Sequence, residues 1–217
     1  MIEGNFIVLE GIDGSGTTTQ AGELKSKFSA LDLPAHVTAE PTNGPIGGII
    51  RQVLSGRLVM RLPQAVAPLN WKIMSLLFAA DRQDHVDAEI VPNLQEGVNV
   101  ISDRYMYSSV VYQSASAEDE DSAAWVTTLN RYVRSPDLVL YLKVNPDVAV
   151  ERCRTRDKET EIYEDPDFQK KLAAKYDTLQ TMFPSDNIVV IDGDRSVAEV
   201  AEACWSHVEK LRSTGAP

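Results

Sequence analysis

A run of apolar residues followed at once by a glycine-rich turn constrains the fold of this chain more than any other feature. Residues 6–20 read Phe-Ile-Val-Leu-Glu-Gly-Ile-Asp-Gly-Ser-Gly-Thr-Thr-Thr-Gln. Gly11 and Gly16 have the spacing of the P-loop pattern, in which Lys and then Ser or Thr follow the second glycine. Thr18 fills the hydroxyl position, but Thr17 stands where the lysine is expected. The pattern therefore predicts a nucleotide-phosphate site without its usual cation.

The phosphate loop (residues 11–18) has the chemistry to bind an anion. Its glycines allow a tight turn that aims amide N–H groups at phosphate oxygens, and the helix predicted from Thr18 adds its positive end. The alternative is a strand-to-helix turn without a ligand, but the apolar strand before it favours phosphate binding. The residues predicted to bind the nucleotide phosphates are Gly11, Ile12, Asp13, Gly14, Ser15, Gly16, Thr17, Thr18 and Thr19.

Length and charge limit the other classes of function. The 217 residues carry 21 Lys and Arg against 32 Asp and Glu, a net charge of −11. This length predicts one domain, residues 1–217, and this acidity argues against nucleic acid as a partner. Cys153 and Cys204 lack metal-site spacing, which predicts reduced thiols in a cytoplasmic protein. No membrane-spanning run or signal peptide is recognisable, so no membrane partner is expected.

Strand-like and helix-like segments alternate along the chain. Strands are predicted at 6–10, 35–39, 98–102, 138–143 and 188–191. Helices are predicted at 18–31, 46–55, 64–96 with a break near Pro92, 108–115, 123–133, 146–156, 167–183 and 196–211. Such alternation indicates an α/β fold, a parallel five-stranded sheet flanked by helices of the P-loop NTPase type. Ligands of these sheets bind at the carboxyl ends of the strands.

The strand at 98–102 leads into a second charged segment. A carboxylate at a strand end beside a phosphate loop suits Mg²⁺, so Asp103 joins Thr18 as a predicted metal ligand. Arg104 offers a planar fork of donors that suits a phosphate. The alternative is a structural Asp–Arg pair at the end of the strand.

Five segments together resemble the thymidylate kinase family of nucleoside monophosphate kinases, over about residues 5–200. The first is residues 6–20, already described. The others are Glu40-Pro41 with Gly44–Gly47 and Arg51, the run Leu77–Arg82, Asp103–Tyr105 with Ser108, Ser109, Tyr112 and Gln113, and strand 138–143 with the Arg-rich stretch after it. The combination is far more specific than any single motif. The resemblance implies the reaction ATP + dTMP giving ADP + dTDP, with Mg²⁺ as cofactor.

The resemblance also implies how the base and sugar are bound. Phe78 would stack on the thymine and Arg82 would donate to a thymine carbonyl. Ser109 would read the edge of the base, and Tyr112 would crowd the 2′ position of the sugar. The alternatives are core packing for Phe78 and a solvated helix face for Arg82.

The phosphates and the sugar would be bound by charged residues. The resemblance implies that Asp13 meets the acceptor sugar or its Mg²⁺-bound phosphate, and that Arg51 and Arg104 clamp the dTMP phosphate, with structural ion pairs as the alternative. Glu40 would order that clamp. The residues implied to bind dTMP are Glu40, Arg51, Phe78, Arg82, Arg104, Ser108, Ser109, Tyr112, Gln113 and Tyr163.

The helix predicted at 146–156 ends in a cationic stretch, which in the family forms a short lid, here about residues 152–165. Four of the seven residues 152–158 are cationic, which is unusual in so acidic a chain. We expect Arg152, Arg156 or both to replace part of the charge missing at Thr17. With Asp13 and Arg104 they are the predicted catalytic residues. A solvated charged face is the alternative.

Assembly and activity complete the sequence-based expectations. The helix from residue 64 carries Trp71, Ile73, Met74 and Leu77, which cannot all face one core, so a homodimer is expected. Two other functions stay open, which are phosphorylation of another nucleotide or of a nucleoside, and nucleotide binding without catalysis.

Overall fold

The computed structural model describes residues 3–117, 119–155 and 165–214. Its strands are β1 (Phe6–Glu10), β2 (Ala35–Ala39), β3 (Met60–Leu62), β4 (Ala65–Ala67), β5 (Asn99–Asp103), β6 (Leu138–Lys143) and β7 (Ile188–Asp192). Its helices are α1 (Thr17–Ala30), α2 (Pro45–Leu54), α3 (Trp71–His85), a π-helical segment (Val86–Ile90), α4 (Val91–Gln95), α5 (Met106–Ser116), α6 (Ser122–Leu129), α7 (Pro146–Arg154), α8 (Pro166–Tyr176), α9 (Leu179–Met182) and α10 (Val197–Thr214).

Five strands form one parallel sheet in the order β2-β5-β1-β6-β7, which confirms the predicted fold class. Side chains alternate between the two faces of β1. Phe6 and Val8 join the core under α5, α8 and the π-helical segment, whereas Ile7 and Leu9 join the core under α1 and α10. Because β1 is buried on both faces, its sequence is apolar almost throughout.

The predicted helix 64–96 is wrong at its beginning. Residues 65–67 pair with β3 as an antiparallel hairpin, and α3 begins only at Trp71. Pro68 cannot donate a backbone hydrogen bond, and the side chain of Asn70 caps α3 by accepting from the amide of Lys72 at 2.8 Å.

The expected break near Pro92 is a change of hydrogen-bonding pattern. The π-helical segment leads directly into α4, and Pro92 lies in the first turn of α4. None of the described helices is both long and apolar enough to cross a membrane.

The sheet brings two charged segments to one edge. In the register of β1 with β5, Leu9 lies opposite Asp103. The phosphate loop, which follows β1, and the Asp103-Arg104 segment therefore emerge side by side at the carboxyl ends of neighbouring strands, as the sequence predicts.

Candidate active site

The phosphate loop turns sharply from β1 into α1. Gly14 and Gly16 have φ of 85° and 96°, values that favour glycine. A Cβ on Gly14 would also lie 2.2 Å from the carbonyl oxygen of Ala149. Gly16 is the N-cap of α1, has no side-chain cap bond, and is followed by a first turn without acidic residues. The first amides of α1 are therefore available to an anion.

Thr18 and Asp103 meet beside this loop. The Thr18 hydroxyl donates to Oδ2 of Asp103 at 2.5 Å. Oδ1 of Asp103 is buried and has no hydrogen-bond partner within the described ranges. A hydroxyl and an unsatisfied carboxylate oxygen are hard oxygen donors, so the two residues fit Mg²⁺.

A central cavity of about 370 Å³ joins the phosphate loop to the ends of β2 and β5. It collects most of the residues that the resemblance assigns to the site. Its lining includes Asp13, Gly14, Gly16, Thr17, Thr18, Glu40, Arg51, Phe78, Arg82, Arg104, Ser108, Ser109, Tyr112 and Gln113. Thr17, in the lysine position, is the first residue of α1 and is buried against this cavity.

Arg104 is held in place from several sides. Its backbone has a φ of 72°, uncommon for a residue with a side chain. Nη1 donates to the Gly11 carbonyl at 2.8 Å and to the Ser108 hydroxyl at 3.1 Å, and Nη2 donates to Asp13 at 2.6 Å. The guanidinium carbon also lies 5.2 Å from the ring centre of Tyr112. Arg104 is thus both a structural ion-pair partner and part of the cavity wall.

Arg51 is bound differently. It donates to the carbonyl oxygens of Pro41 and Thr42 and, at 2.7 Å, to the side-chain oxygen of Asn43. These acceptors are all neutral, and Arg51 forms no ion pair within the part of the chain that the structure describes. Its charge is therefore not neutralised by a carboxylate, which favours an anion at this wall.

Arg82 is almost fully buried and does not lie on a solvated helix face. Nε and Nη2 donate to Oε2 of Glu40 at 2.8 and 2.6 Å, Nη1 donates to Asn130 at 2.6 Å, and Nη2 donates to Ser109 at 2.9 Å. These contacts use four of the five N–H groups of a guanidinium. Glu40, which the resemblance suggests for the phosphate clamp, instead contacts Arg82.

Apolar and polar side chains share the wall next to Arg82. Phe78 is partly buried, packs against the core of α2 and α3, and lines the central cavity with the rest of its surface. Both interpretations of Phe78 are therefore compatible with its position. Gln113 is buried, and its side-chain oxygen has no partner among the described residues.

Sequence reasoning missed Glu10. This buried residue accepts from the amides of Tyr105 and Ser108 at 2.9 and 3.2 Å, from the Ser108 hydroxyl at 2.6 Å and from Tyr176 at 3.0 Å. Burial raises the pKa of Glu10 to about 7, although these hydrogen bonds and Arg104 lower it. The sequence did contain a signal for Glu10, which is a carboxylate at the end of an otherwise apolar strand. A buried carboxylate needs hydrogen-bond or charge partners.

Gln169 was also missed. It lies on α8, is buried, and donates to Asp13 at 3.1 Å. Asp13 thus accepts from Arg104 on one side and from Gln169 on the other. No motif around Gln169 signals this contact, because it joins residues 156 positions apart.

The predicted lid is only partly described. Both terminal nitrogens of Arg152 donate to the Gly193 carbonyl, at 3.1 and 3.2 Å, so its guanidinium lies against the loop after β7. Arg156 and Tyr163 lie outside the described residues. The predicted role of Tyr163 rests on the resemblance alone, and that of Arg156 rests on the resemblance and on the cationic run at 152–158.

Comparison with known proteins shows the family of this chain. Residues 9–204 match the thymidylate kinase family. A probable thymidylate kinase of Methanocaldococcus jannaschii is 39% identical over 212 residues, which cover 97% of this chain and 99% of the relative. A putative thymidylate kinase of Treponema pallidum is 36% identical over 214 residues, covering 96% of each chain.

A solved structure extends the likeness from sequence to fold. The thymidylate kinase of Candida albicans superposes with a TM-score of 0.78 at 25% identity, covering 97% of this chain and 93% of that one. The resemblance seen in the sequence is confirmed by these matches. This chain belongs to the thymidylate kinase family.

Proposed function

We propose that this protein transfers the γ-phosphoryl group of ATP to dTMP, with Mg²⁺ as cofactor. The observation that carries the proposal is a single cavity, which joins the N-terminal end of α1 to a wall formed by Phe78, Arg82 and Gln113. That wall offers an aromatic face, a donor and an acceptor, which are what a pyrimidine base needs.

The base and sugar would be bound by neighbouring helices. Phe78 stacks on thymine, and the N–H of Arg82 that has no acceptor among the described residues donates to a ring carbonyl. The buried oxygen of Gln113 accepts from the ring N–H. Tyr112 crowds the 2′ position, so a ribose hydroxyl is rejected by sterics.

The dTMP phosphate would lie between Arg51 and Arg104. Phosphoryl transfer depends mainly on alignment and charge neutralisation. An oxygen of the dTMP phosphate attacks the γ-phosphorus in line, the bond to the bridging β-γ oxygen breaks, and ADP leaves with that electron pair. The attacking oxygen is already ionised at neutral pH, so the step requires no general base.

Thr18 and Asp103 would hold Mg²⁺ beside the phosphate loop. When bound, Mg²⁺ neutralises part of the phosphate charge. Thr17 cannot supply the charge of the usual lysine, and we propose that Arg152, Arg156 or both supply it from a lid of about residues 152–165. In the described conformation Arg152 bonds to Gly193, so it would have to leave that carbonyl to reach the phosphates.

An ADP-release assay tests the function. The protein is mixed with ATP, Mg²⁺ and, separately, dTMP, dUMP, dCMP, dAMP and dGMP, and ADP formation is followed in each. Rapid turnover with dTMP supports the proposal. Rapid turnover only with another nucleotide would reassign the substrate. Binding of ATP and dTMP by calorimetry without turnover would favour a silent homologue, for which Thr17 is the sequence argument.

We also infer a homodimer in the cytoplasm. Ile73 and Leu76 are 41% and 52% exposed on α3, while Met74 of the same helix is buried. An apolar face of this kind favours a partner copy. Light scattering tests the homodimer. Wild-type protein should have the mass of a dimer, and Leu76→Glu should have the mass of a monomer. The cytoplasmic location rests on the sequence, in which Cys153 and Cys204 lack metal-site spacing and are interpreted as reduced thiols.

A further inference from the structure

His85 lies directly behind the pair formed by Arg82 and Glu40. It is the last residue of α3, and its side chain is fully buried. Nδ1 lies 3.1 Å from Oε1 of Glu40, and Nε2 lies 2.7 Å from the hydroxyl of Thr38. His85 does not line the central cavity, but it lines a second cavity of about 510 Å³ beside β2. Its contact with Glu40 connects it to a side chain that lines the central cavity.

The two oxygens of Glu40 have different partners. Oε2 accepts both hydrogen bonds from Arg82, and Oε1 accepts from His85. Because a carboxylate only accepts, Nδ1 of His85 must carry the proton of this bond. Glu40 is 5% exposed, so water cannot readily replace a lost donor at Oε1.

The orientation of Arg82 depends on that carboxylate. Two of its four observed hydrogen bonds go to Glu40, and the others go to Asn130 and Ser109. The remaining N–H is on Nη1, so its direction is set by how these three residues orient the guanidinium plane. A rotated Glu40 would turn this N–H away from the base.

The charged groups around His85 come from three elements. Glu40 follows β2, Arg82 lies one turn earlier on α3, and Oε2 of Glu89 in the π-helical segment is 3.7 Å from Nε2. Glu89 in turn bonds to His36 of β2 at 2.6 Å. Thr38 is hydrogen-bonded to the outer nitrogen of the imidazole, Nε2, whereas Nδ1 faces Glu40.

We propose that His85 is a positioning residue for base recognition, which fixes Glu40 through Nδ1 and thereby aims Arg82 at the pyrimidine carbonyl. The proposal rests on the proposed function, because it assigns Arg82 to the base of dTMP. This role differs from a purely structural one, because it depends on the hydrogen bond from Nδ1 to Glu40 and not on the volume of the imidazole.

Two substitutions separate the nitrogens of the imidazole. His85→Asn places an amide N–H near Nδ1 and keeps donation to Glu40, whereas His85→Gln places its amide near Nε2 and keeps only the contact with Thr38. The KM for dTMP, the KM for ATP, kcat and the midpoint of thermal unfolding are measured for both. His207→Gln, on α10, is the control.

The expected result is a difference between the two variants. His85→Gln should raise the KM for dTMP about tenfold, the usual effect of losing one hydrogen bond to a charged group, with little change in the KM for ATP. His85→Asn should stay close to wild type. We assign Arg82 to the 4-carbonyl of thymine, where cytosine carries an amino group, so His85→Gln should also discriminate less between dTMP and dCMP.

Other outcomes overturn the proposal. Equal KM values for dTMP in both variants, or a change that only follows the unfolding midpoint, would leave His85 a structural residue. An equal rise in the KM for ATP would place its effect elsewhere. If wild-type protein binds dTMP without turning it over, the proposed function fails separately, and the same comparison made with calorimetric dissociation constants still tests His85.

Discussion

The phenol of Tyr176, on the helix that follows the lid segment, donates to Oε2 of Glu10, at the entrance to the phosphate loop, over 3.0 Å. The Ser108 hydroxyl lies 2.6 Å from the same oxygen and 2.9 Å from the Tyr176 hydroxyl. Nη1 of Arg104 reaches both hydroxyls, at 3.1 and 3.4 Å. One buried carboxylate thus connects β1, α5 and α8 behind the guanidinium that lines the central cavity.

Glu10 makes stability depend on pH. Its pKa is raised from 4.5 to about 7 by burial, so the folded state binds this proton more tightly than the unfolded state. The contribution of protonated Glu10 to the free energy of unfolding is therefore fully present below pH 4.5 and is lost as the pH rises through about 7. Because one pKa unit is about 1.4 kcal/mol, the loss amounts to roughly 3 kcal/mol.

Glu10→Gln should remove this dependence, because an amide does not titrate. Urea unfolding at pH 5, 6, 7 and 8 measures it as the difference in unfolding free energy between wild type and variant. Glu202→Gln, an exposed carboxylate paired with Lys27, serves as the control. Parallel curves for wild type and Glu10→Gln would contradict the prediction.

The sheet could be predicted because buried parallel strands are continuous apolar runs, and 138–143 contains no competing signal. The hairpin of β3 and β4 could not, since three-residue strands such as Ala65–Ala67 carry too little pattern to oppose the helical run after them. The phosphate loop and the Asp103-Arg104 segment were recognisable because their chemistry is local in sequence.

The contacts that orient the site are not local in sequence. His85 and Glu40 are 45 positions apart, and Glu10 and Tyr176 are 166 apart. No spacing rule predicts such pairs, because they arise from how the helices pack on the sheet. The sequence could name Arg82 through a resemblance, but it could not show that Glu40, Asn130 and Ser109 hold it.

Thr18→Val should weaken the dependence on Mg²⁺. Valine has nearly the shape of threonine, but it removes the hydroxyl that lies 2.5 Å from Asp103. We expect the Mg²⁺ concentration for half-maximal turnover to rise about tenfold, on the scale of one lost hydrogen bond to a charged group, with the KM for dTMP unchanged. Thr128→Val, on the exposed face of α6, is the matched control. An unchanged Mg²⁺ titration would remove Thr18 from the metal site.

Arg156→Ala should lower kcat sharply while the KM for dTMP changes little, because the missing cation acts on the transferred phosphoryl group and not on the acceptor. A charge near that group contributes a few kcal/mol, or about a hundredfold in rate. Arg152→Ala should lower kcat less, because the guanidinium of Arg152 is hydrogen-bonded to the Gly193 carbonyl and must leave it to reach the phosphates. Arg154→Ala is the control, since Arg154 is 69% exposed and lies 3.9 Å from Glu151. Unaltered turnover in both Arg156→Ala and Arg152→Ala would show that these arginines do not replace the missing lysine.

A lysine at position 17 should compensate for the loss of Arg156. Thr17 is the first residue of α1 and lines the central cavity, so the ammonium group of Thr17→Lys would lie beside the phosphate loop. If both cations neutralise the same developing charge, their effects on kcat cannot add, because residues that share a partner couple energetically. In a double-mutant cycle, Thr17→Lys should raise kcat at least tenfold more in the Arg156→Ala background than in wild type, a coupling of about 1.4 kcal/mol. Equal effects in the two backgrounds would mean that position 17 and the lid act on different parts of the nucleotide, and the compensation argument would fail even if each single variant altered the rate.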